Sequence, residues 1–274
     1  MGNFSDWYNW DLHIHTPETE LNDNFQDENG HRENKEDVWK RYCKEINGYN
    51  ADVLGITDYF SVNNYFKLKE NRKKWGLRDD IVLMPNMELR VNDITSKKRA
   101  KGSGDSSFVN LHIIFDPNID REYLDKFLRK LTVTDIDDKE INFKEDRDKI
   151  FINQEIKYLI STKDVIKALE NVFGKNFSDK CLIMLPNTQD GIVLESGNGS
   201  QNGINFAKRY VSLLQARTNK AQEDIEYLRK KDNSYGKIFS VVTGSDAHRL
   251  DDLENFSNRS RTWIKADKTF NGLK

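Results

Sequence analysis

Cysteine is scarce: the chain has two, Cys43 and Cys181. Each lies in a stretch that reads as buried and neither has a Cys-x-x-Cys partner. That argues against a disulfide framework or a thiolate zinc site and fits a reducing cytosol. An excess of one charge sign is lacking too. The formal net charge is −2, so the protein as a whole is no polycation built to coat nucleic acid, and such a substrate would need a local basic patch. No apolar run approaches the roughly 20 residues that span a bilayer. Met1–Asp6 has no basic run leading into an apolar stretch, so neither a membrane anchor nor a signal peptide is expected. Internal repeats and long low-complexity tracts are missing as well, which leaves one domain over residues 1–274 as the simplest organisation. Histidine is rare, five in 274 residues, and its scarcity makes its placement informative.

What is present is aromatic volume and an alternating rhythm. The 15 Phe, 10 Tyr and 5 Trp can fill a core in a chain where only 36% of residues are hydrophobic. Short apolar runs predict strands at Trp10–Ile14, Val53–Thr57, Ile81–Met84, Leu111–Phe115, Cys181–Leu185, Tyr210–Leu214 and Ile238–Thr243. Segments of helical period predict helices at Lys35–Ile46, Asn63–Trp75, Arg121–Leu131, Thr162–Phe173 and Lys220–Lys231. The fourth has both end signals, Ser161 as its cap and Gly174 as its stop. Alternating strands and helices imply parallel β-α units, and seven strands suggest a closed or nearly closed α/β barrel, with an open doubly wound sheet as the alternative. Three stretches break the rhythm. Asn92–Phe108, with Lys97–Lys101, reads as a mobile basic loop, Asp135–Lys149 as an exposed insertion, and Gly191–Gly203 as a long flexible loop.

Four of the five histidines fall within or at the ends of strand candidates, together with carboxylates. His13 and His15 close the first strand and Asp58 the second. Glu88 and Arg90 follow the third, and His112 lies in the fourth. Asn187 with Asp190 follows the fifth, and Asp246 with His248 follows the last. Barrel enzymes place reacting groups at the C-terminal ends of strands, where the strand–helix loops meet. Residues two apart on a strand share a face, so His13 and His15 can bind one ion together. Imidazole with carboxylate suits zinc, manganese or iron. Taken singly, each residue has a plainer explanation: Asp58 as a helix cap, Glu88 as a solvated charge, His112 as a core histidine. Together those explanations require several independent coincidences at one end of one barrel.

The run Asp11-Leu12-His13-Ile14-His15-Thr16, then Ile56-Thr57-Asp58, Glu88, His112 and Gly244-Ser245-Asp246-Ala247-His248, resembles the PHP (polymerase and histidinol phosphatase) superfamily over nearly the whole chain. Gly55–Ser61 and the ending Thr262–Lys274 resemble more narrowly the TrlF-like proteins, in which a PHP domain precedes an ABC/SMC-type ATPase. This chain stops about where such an ATPase would begin. The resemblance implies a distorted seven-stranded β/α barrel, up to three divalent ions and hydrolysis of phosphate esters. By match, His13, His15, Glu88 and Asp246 would hold a first ion, Glu88 and His112 a second with a fifth-strand ligand, and His248 a third. Two positions depart from the pattern. Tyr59 stands where a histidine usually follows the aspartate, and Asn187 stands where a fifth-strand histidine is expected. A neutral phenol is a poor ligand, so two ions are expected and three at most. His31, the remaining histidine, reads as a solvated loop residue, its alternative being a ligand for the third ion.

Two ions roughly 3.5–4 Å apart can acidify water and stabilise both attacking and leaving oxygens of a phosphoester. Asp58 or His248 would relay protons, and Arg90 would either fork onto a phosphate or pair with a neighbouring carboxylate. The leading expectation is a cytoplasmic nuclease or phosphodiesterase acting on DNA or RNA, with Arg217, Lys220, Arg259 and Arg261 extending the basic patch. The company of SMC-like ATPases implies a role in DNA repair or anti-phage defence. The alternatives are a phosphatase of small monoesters and a non-hydrolytic module that binds nucleic acid or docks an ATPase.

Overall fold

The computed structural model describes residues 6–27, 29–31, 34–94, 108–135, 137–141, 146, 158–186, 201–216, 221–233, 235–257 and 261–274. The chain begins with β1 (Trp7–His15), α1 (Lys35–Gly48), β2 (Val53–Tyr59), α2 (Asn63–Asn71) and β3 (Val82–Val91). It continues through β4 (Val109–Phe115), α3 (Arg121–Lys130), β5 (Thr134–Asp135), β6 (Tyr158–Leu159), α4 (Thr162–Phe173) and β7 (Cys181–Pro186). The last third holds α5 (Gln201–Tyr210), β8 (Val211–Gln215), α6 (Ala221–Leu228), β9 (Ser240–Val242), α7 (Leu250–Ser257), β10 (Thr262–Lys265) and α8 (Phe270–Leu273).

Eight strands form one sheet in the order β10-β1-β2-β3-β4-β7-β8-β9, and β5 pairs with β6 apart from it. The sheet curls into a nearly closed barrel. Beyond β9 the chain comes back onto β1: Asp246 donates its N–H to the His13 carbonyl at 2.8 Å, and His15 donates to the Ala247 carbonyl at 3.2 Å. This is the α/β barrel expected, with one correction. The strands are not all parallel, because β4 runs antiparallel to both β3 and β7, and β10 runs antiparallel to β1.

Strand alternation sorts side chains to the two faces of this sheet. The outward set packs under the helices: Leu54 and Ile56 of β2 join Val38, Trp39, Tyr42 and Ile46 of α1, while Leu89, Val91, Leu111 and Ile113 meet Leu124 and Phe127 of α3 and Leu169 of α4. The inward set is layered. One end is apolar, with Trp10, Leu12, Val53, Met84, Ile114, Leu182, Met184, Leu213 and Val242 stoppered by Phe270 and Leu273 of α8. The other end carries polar side chains, and the histidines lie there.

Local signals explain several boundaries. Ser161 accepts from the Asp164 N–H at 3.1 Å and starts α4, and Gly174, at φ +78°, stops it. Six of these elements were not anticipated from the sequence, namely β5, β6, α5, α7, β10 and α8. The expected loop at Gly191–Gly203 is corrected at its end, since Gln201–Gly203 form the first turn of α5. The strand expected at Tyr210–Leu214 begins one residue later, because Tyr210 closes that helix. Lys97–Lys101, Asn187, Asp190, Arg217, Lys220 and Arg259 lie outside the described residues. No helix among the described residues is long and apolar enough to cross a membrane.

Candidate metal centre

The polar end of the barrel gathers residues from four places in the chain. A register irregularity in β1 between Asp11 and Ile14 turns both His13 and His15 inward. Glu88 of β3 stands opposite Tyr59 of β2 on one side and His112 of β4 on the other. His112 can lie in mid-strand and still reach the mouth because β4 is antiparallel. Asp246 comes from the segment after β9. It sits in the left-handed region at φ +50°, a conformation that aspartate tolerates better than most residues. Gly244 lets that segment approach: a Cβ there would meet the His13 Cβ at 2.8 Å.

Four donor atoms converge. His13 Nε2 lies 3.0 Å from Asp246 Oδ1 and 3.5 Å from Glu88 Oε2. His15 Nε2 lies 3.2 Å from Glu88 Oε2 and 3.5 Å from Asp246 Oδ1. The two Nε2 atoms are 3.2 Å apart. Ligands at about 2.1 Å around a tetrahedral ion stand about 3.4 Å from one another. The five separations, from 3.0 to 3.5 Å, therefore match the edges of such a coordination shell. Glu88 Oε1 and both ring nitrogens of His112 are buried with no hydrogen-bond partner, a costly state unless a cation completes them. The residues fit a divalent ion.

The metal-type residues foreseen in the sequence fall into two overlapping groups, His13–His15–Glu88 and His15–Asp246–His248. His248 stacks on His15 with ring centroids 3.9 Å apart, and its Nε2 is 3.5 Å from Asp246 Oδ1. His112 lies beside the first group, its ring 4.2 Å from that of His13. His31 is elsewhere, an exposed side chain whose Nδ1 faces Asp27 at 3.7 Å.

A second layer aims these ligands. Gln215, the last residue of β8, accepts from His13 Nδ1 at 2.9 Å, leaving the Nε2 lone pair free for the centre. Thr19 spans His15 Nδ1 at 3.4 Å and Asp58 Oδ1 at 3.1 Å. Asp58 is buried and also accepts from the Tyr59 N–H. It does not cap α2, whose N-cap position is Val62. Asp11 accepts from the backbone N–H groups of His13 and Ser245, each at 3.1 Å, and from the Tyr49 hydroxyl at 2.8 Å, tying β1 to the returning segment. Sequence reasoning gave no role to Gln215, Thr19 or Asp11. Gln215 had one usable signal, its place at the C-terminal end of a strand.

Electrostatics at the centre follow from burial and crowding. Burial acts to lower the His13 pKa, but Asp246 and Glu88 outweigh it and hold the imidazole well above its usual range. His15 is raised in the same way. Burial acts to raise Glu88, yet the facing His112, His13 and His15 hold it well below the usual carboxylate range. Asp246 is likewise lowered, burial being outweighed by His13, His15 and His248. Burial and the charge of His13 push His112 down to about 3, so it stays neutral and ready to coordinate.

No family model matches the chain, and no curated protein matches it. The fold is similar to a solved structure named as a candidate metal-dependent phosphoesterase of Bifidobacterium adolescentis. The identity is 12%, with 89% of each chain covered and a TM-score of 0.44. At that identity and score the likeness carries no weight for chemistry, which rests on the side chains.

Proposed function

We propose that this chain is a metal-dependent phosphoesterase, with His13, His15, Glu88 and Asp246 as the ligands of its principal ion. The supporting observation is the close approach of two imidazole nitrogens and two carboxylate oxygens at the polar mouth of a barrel. His112 and His248 extend the donor set on either side and would serve further ions. A divalent ion held there would supply positive charge at the phosphoryl oxygens and acidify the attacking water. The chain's own part is to fix and exclude. Gln215 and Thr19 orient the two β1 histidines, while buried Glu88 and His112 keep bulk water from the floor of the site. His248, partly open to solvent and facing Asp246, is placed to move a proton between the site and water.

For the substrate, the reading is a phosphodiester of DNA or RNA, supported by the basic segment Lys97–Lys101 and by the sequence resemblance to ATPase-linked PHP domains. A second reading, a small phosphate monoester, has its own support: His13, His15, Glu88 and His112 are all buried, and a deep centre suits a terminal phosphate. Labelled single- and double-stranded DNA and RNA, incubated with manganese beside a His13→Ala/His15→Ala variant of measured metal content, test the proposal. Cleavage lost with the metal is the expected result. Bound metal without nucleic-acid cleavage, but with turnover of monoesters, would move the substrate to the second reading. No metal and no turnover of either ester would sink both.

A further inference from the structure

Arg90 lies two residues beyond Glu88 on the same inward face of β3. Its guanidinium carbon sits over the Tyr59 ring, 5.3 Å from the ring centroid. Tyr59 is itself wedged into the centre, its ring stacked 4.9 Å from His15 and buried. The arginine therefore has a fixed seat above the metal-type cluster. No ion pair to a carboxylate is found for it among the described residues, although Glu88 and Asp246 are both close enough to act on the same Tyr59. Its Nε–H is buried without a partner, and across the sheet it faces only the neutral Asn110.

A permanent cation half-buried beside a site for a second cation is unfavourable unless an anion comes between them. Planar guanidinium groups with unspent N–H donors match the paired oxygens of a phosphoryl group. We propose that Arg90 is the phosphoryl-binding side chain of this site and that Tyr59 is its positioning residue. The inference rests on the phosphoesterase reading and adds which residue takes the phosphoryl group and what holds it there. It also gives Tyr59 a task other than ligation: the face of its ring seats a fixed positive group on that side of the centre.

Orthophosphate is the probe, titrated calorimetrically into the full chain with and without manganese, with metal content measured on each sample. Arg90→Gln is expected to weaken phosphate binding on the order of 10–100-fold with metal content and melting temperature unchanged. Arg90→Lys should lose less, keeping charge without the fork. Added guanidinium should restore binding to Arg90→Ala, a response that a merely structural arginine would not give. Tyr59→Leu, which removes the ring under Arg90, should weaken phosphate several-fold, and Tyr59→Phe, which keeps it, should lose less. Equal phosphate affinity in wild type and Arg90→Gln overturns the proposal, as does a wild type that binds no phosphate under either condition. If the wild type holds no metal, the phosphoesterase reading fails, yet the manganese-free titration still decides Arg90.

Discussion

Gln215 and His13 are 202 residues apart in sequence and joined by one hydrogen bond of 2.9 Å between the amide oxygen and Nδ1. An amide oxygen only accepts, so Nδ1 donates to it, and Nε2 is the ring atom that faces Glu88 and Asp246 and offers its lone pair to an ion once its own proton is displaced. Removing the acceptor frees the ring to rotate and to change tautomer. Gln215→Leu is expected to weaken metal binding about 10–100-fold while the fold persists, since Leu fills a similar volume. Isothermal titration with manganese or zinc checks it. Unchanged affinity would mean that the packing of His13 against His112, rather than this bond, sets the ring.

Metal binding should depend on pH in a stated direction. His13 and His15 have raised pKa values, burial working against the rise and the carboxylates of Asp246 and Glu88 outweighing it. Below those raised values both rings hold protons that an arriving ion must displace. Affinity should therefore climb as pH rises through neutrality, by up to about tenfold per pH unit for each proton displaced. His112, pushed down to about 3, adds nothing to that slope. Titrations between about pH 6 and pH 8 in buffers of different ionisation enthalpy would count the protons released. A flat affinity with no proton release would exclude His13 and His15 as ligands.

Much of this centre was legible in the sequence because strand-end position is local information. His13, His15, Glu88, Asp246 and His248 follow or close apolar runs, and a barrel brings such ends together. What escaped was non-local. The antiparallel sense of β4 sets mid-strand His112 opposite Glu88, and no local pattern in the sequence gives that sense. The roles of Gln215 and Thr19 depend on a partner ring hidden from any local pattern. β10, with Thr262 and Ile264 partly buried between exposed Trp263 and Lys265, is too short to stand out from a charged tail. In α5, Gly203 sits where a sequence reader sees a loop, and packing of Phe206 and Ala207 into the core overrides that preference.

Gly244 gives a test of how tightly the returning segment must sit. A methyl group there would lie 2.8 Å from the His13 Cβ and 3.2 Å from Gln215 Nε2, so either the segment or the histidine has to move. Gly244→Ala is expected to cost about 1–3 kcal/mol of stability, read by urea unfolding. It should also lower metal affinity, because the displaced ligand backbone carries both His13 and Asp246. Stability lost with metal affinity intact would show that the strain is relieved away from the site.

Glu18 anchors the loop that carries Thr19 to His15. Its carboxylate accepts from Trp39 Nε1 at 2.8 Å, pairs with Lys35 at 2.9 Å and also with Lys67. Burial acts to raise its pKa, but Lys67, Lys35 and Trp39 outweigh it and bring the group from 4.5 down to about 2. A depressed carboxylate contributes stability that is fully present above the unfolded value and is lost as pH falls through the folded one. Here that window runs from 4.5 to about 2. Partial exposure of the pair screens the gain, so Glu18→Gln is expected to cost only about 1 kcal/mol at neutral pH. The gap to wild type should close as pH falls through the window. Urea unfolding at pH 7 and near pH 3, beside the metal affinity of the same variant, separates two roles. A loss that fades with acid is electrostatic, whereas an equal loss at both pH values would assign Glu18 to packing alone. Weaker metal binding at pH 7 would show that the loop's anchor also sets the aim of His15 through Thr19.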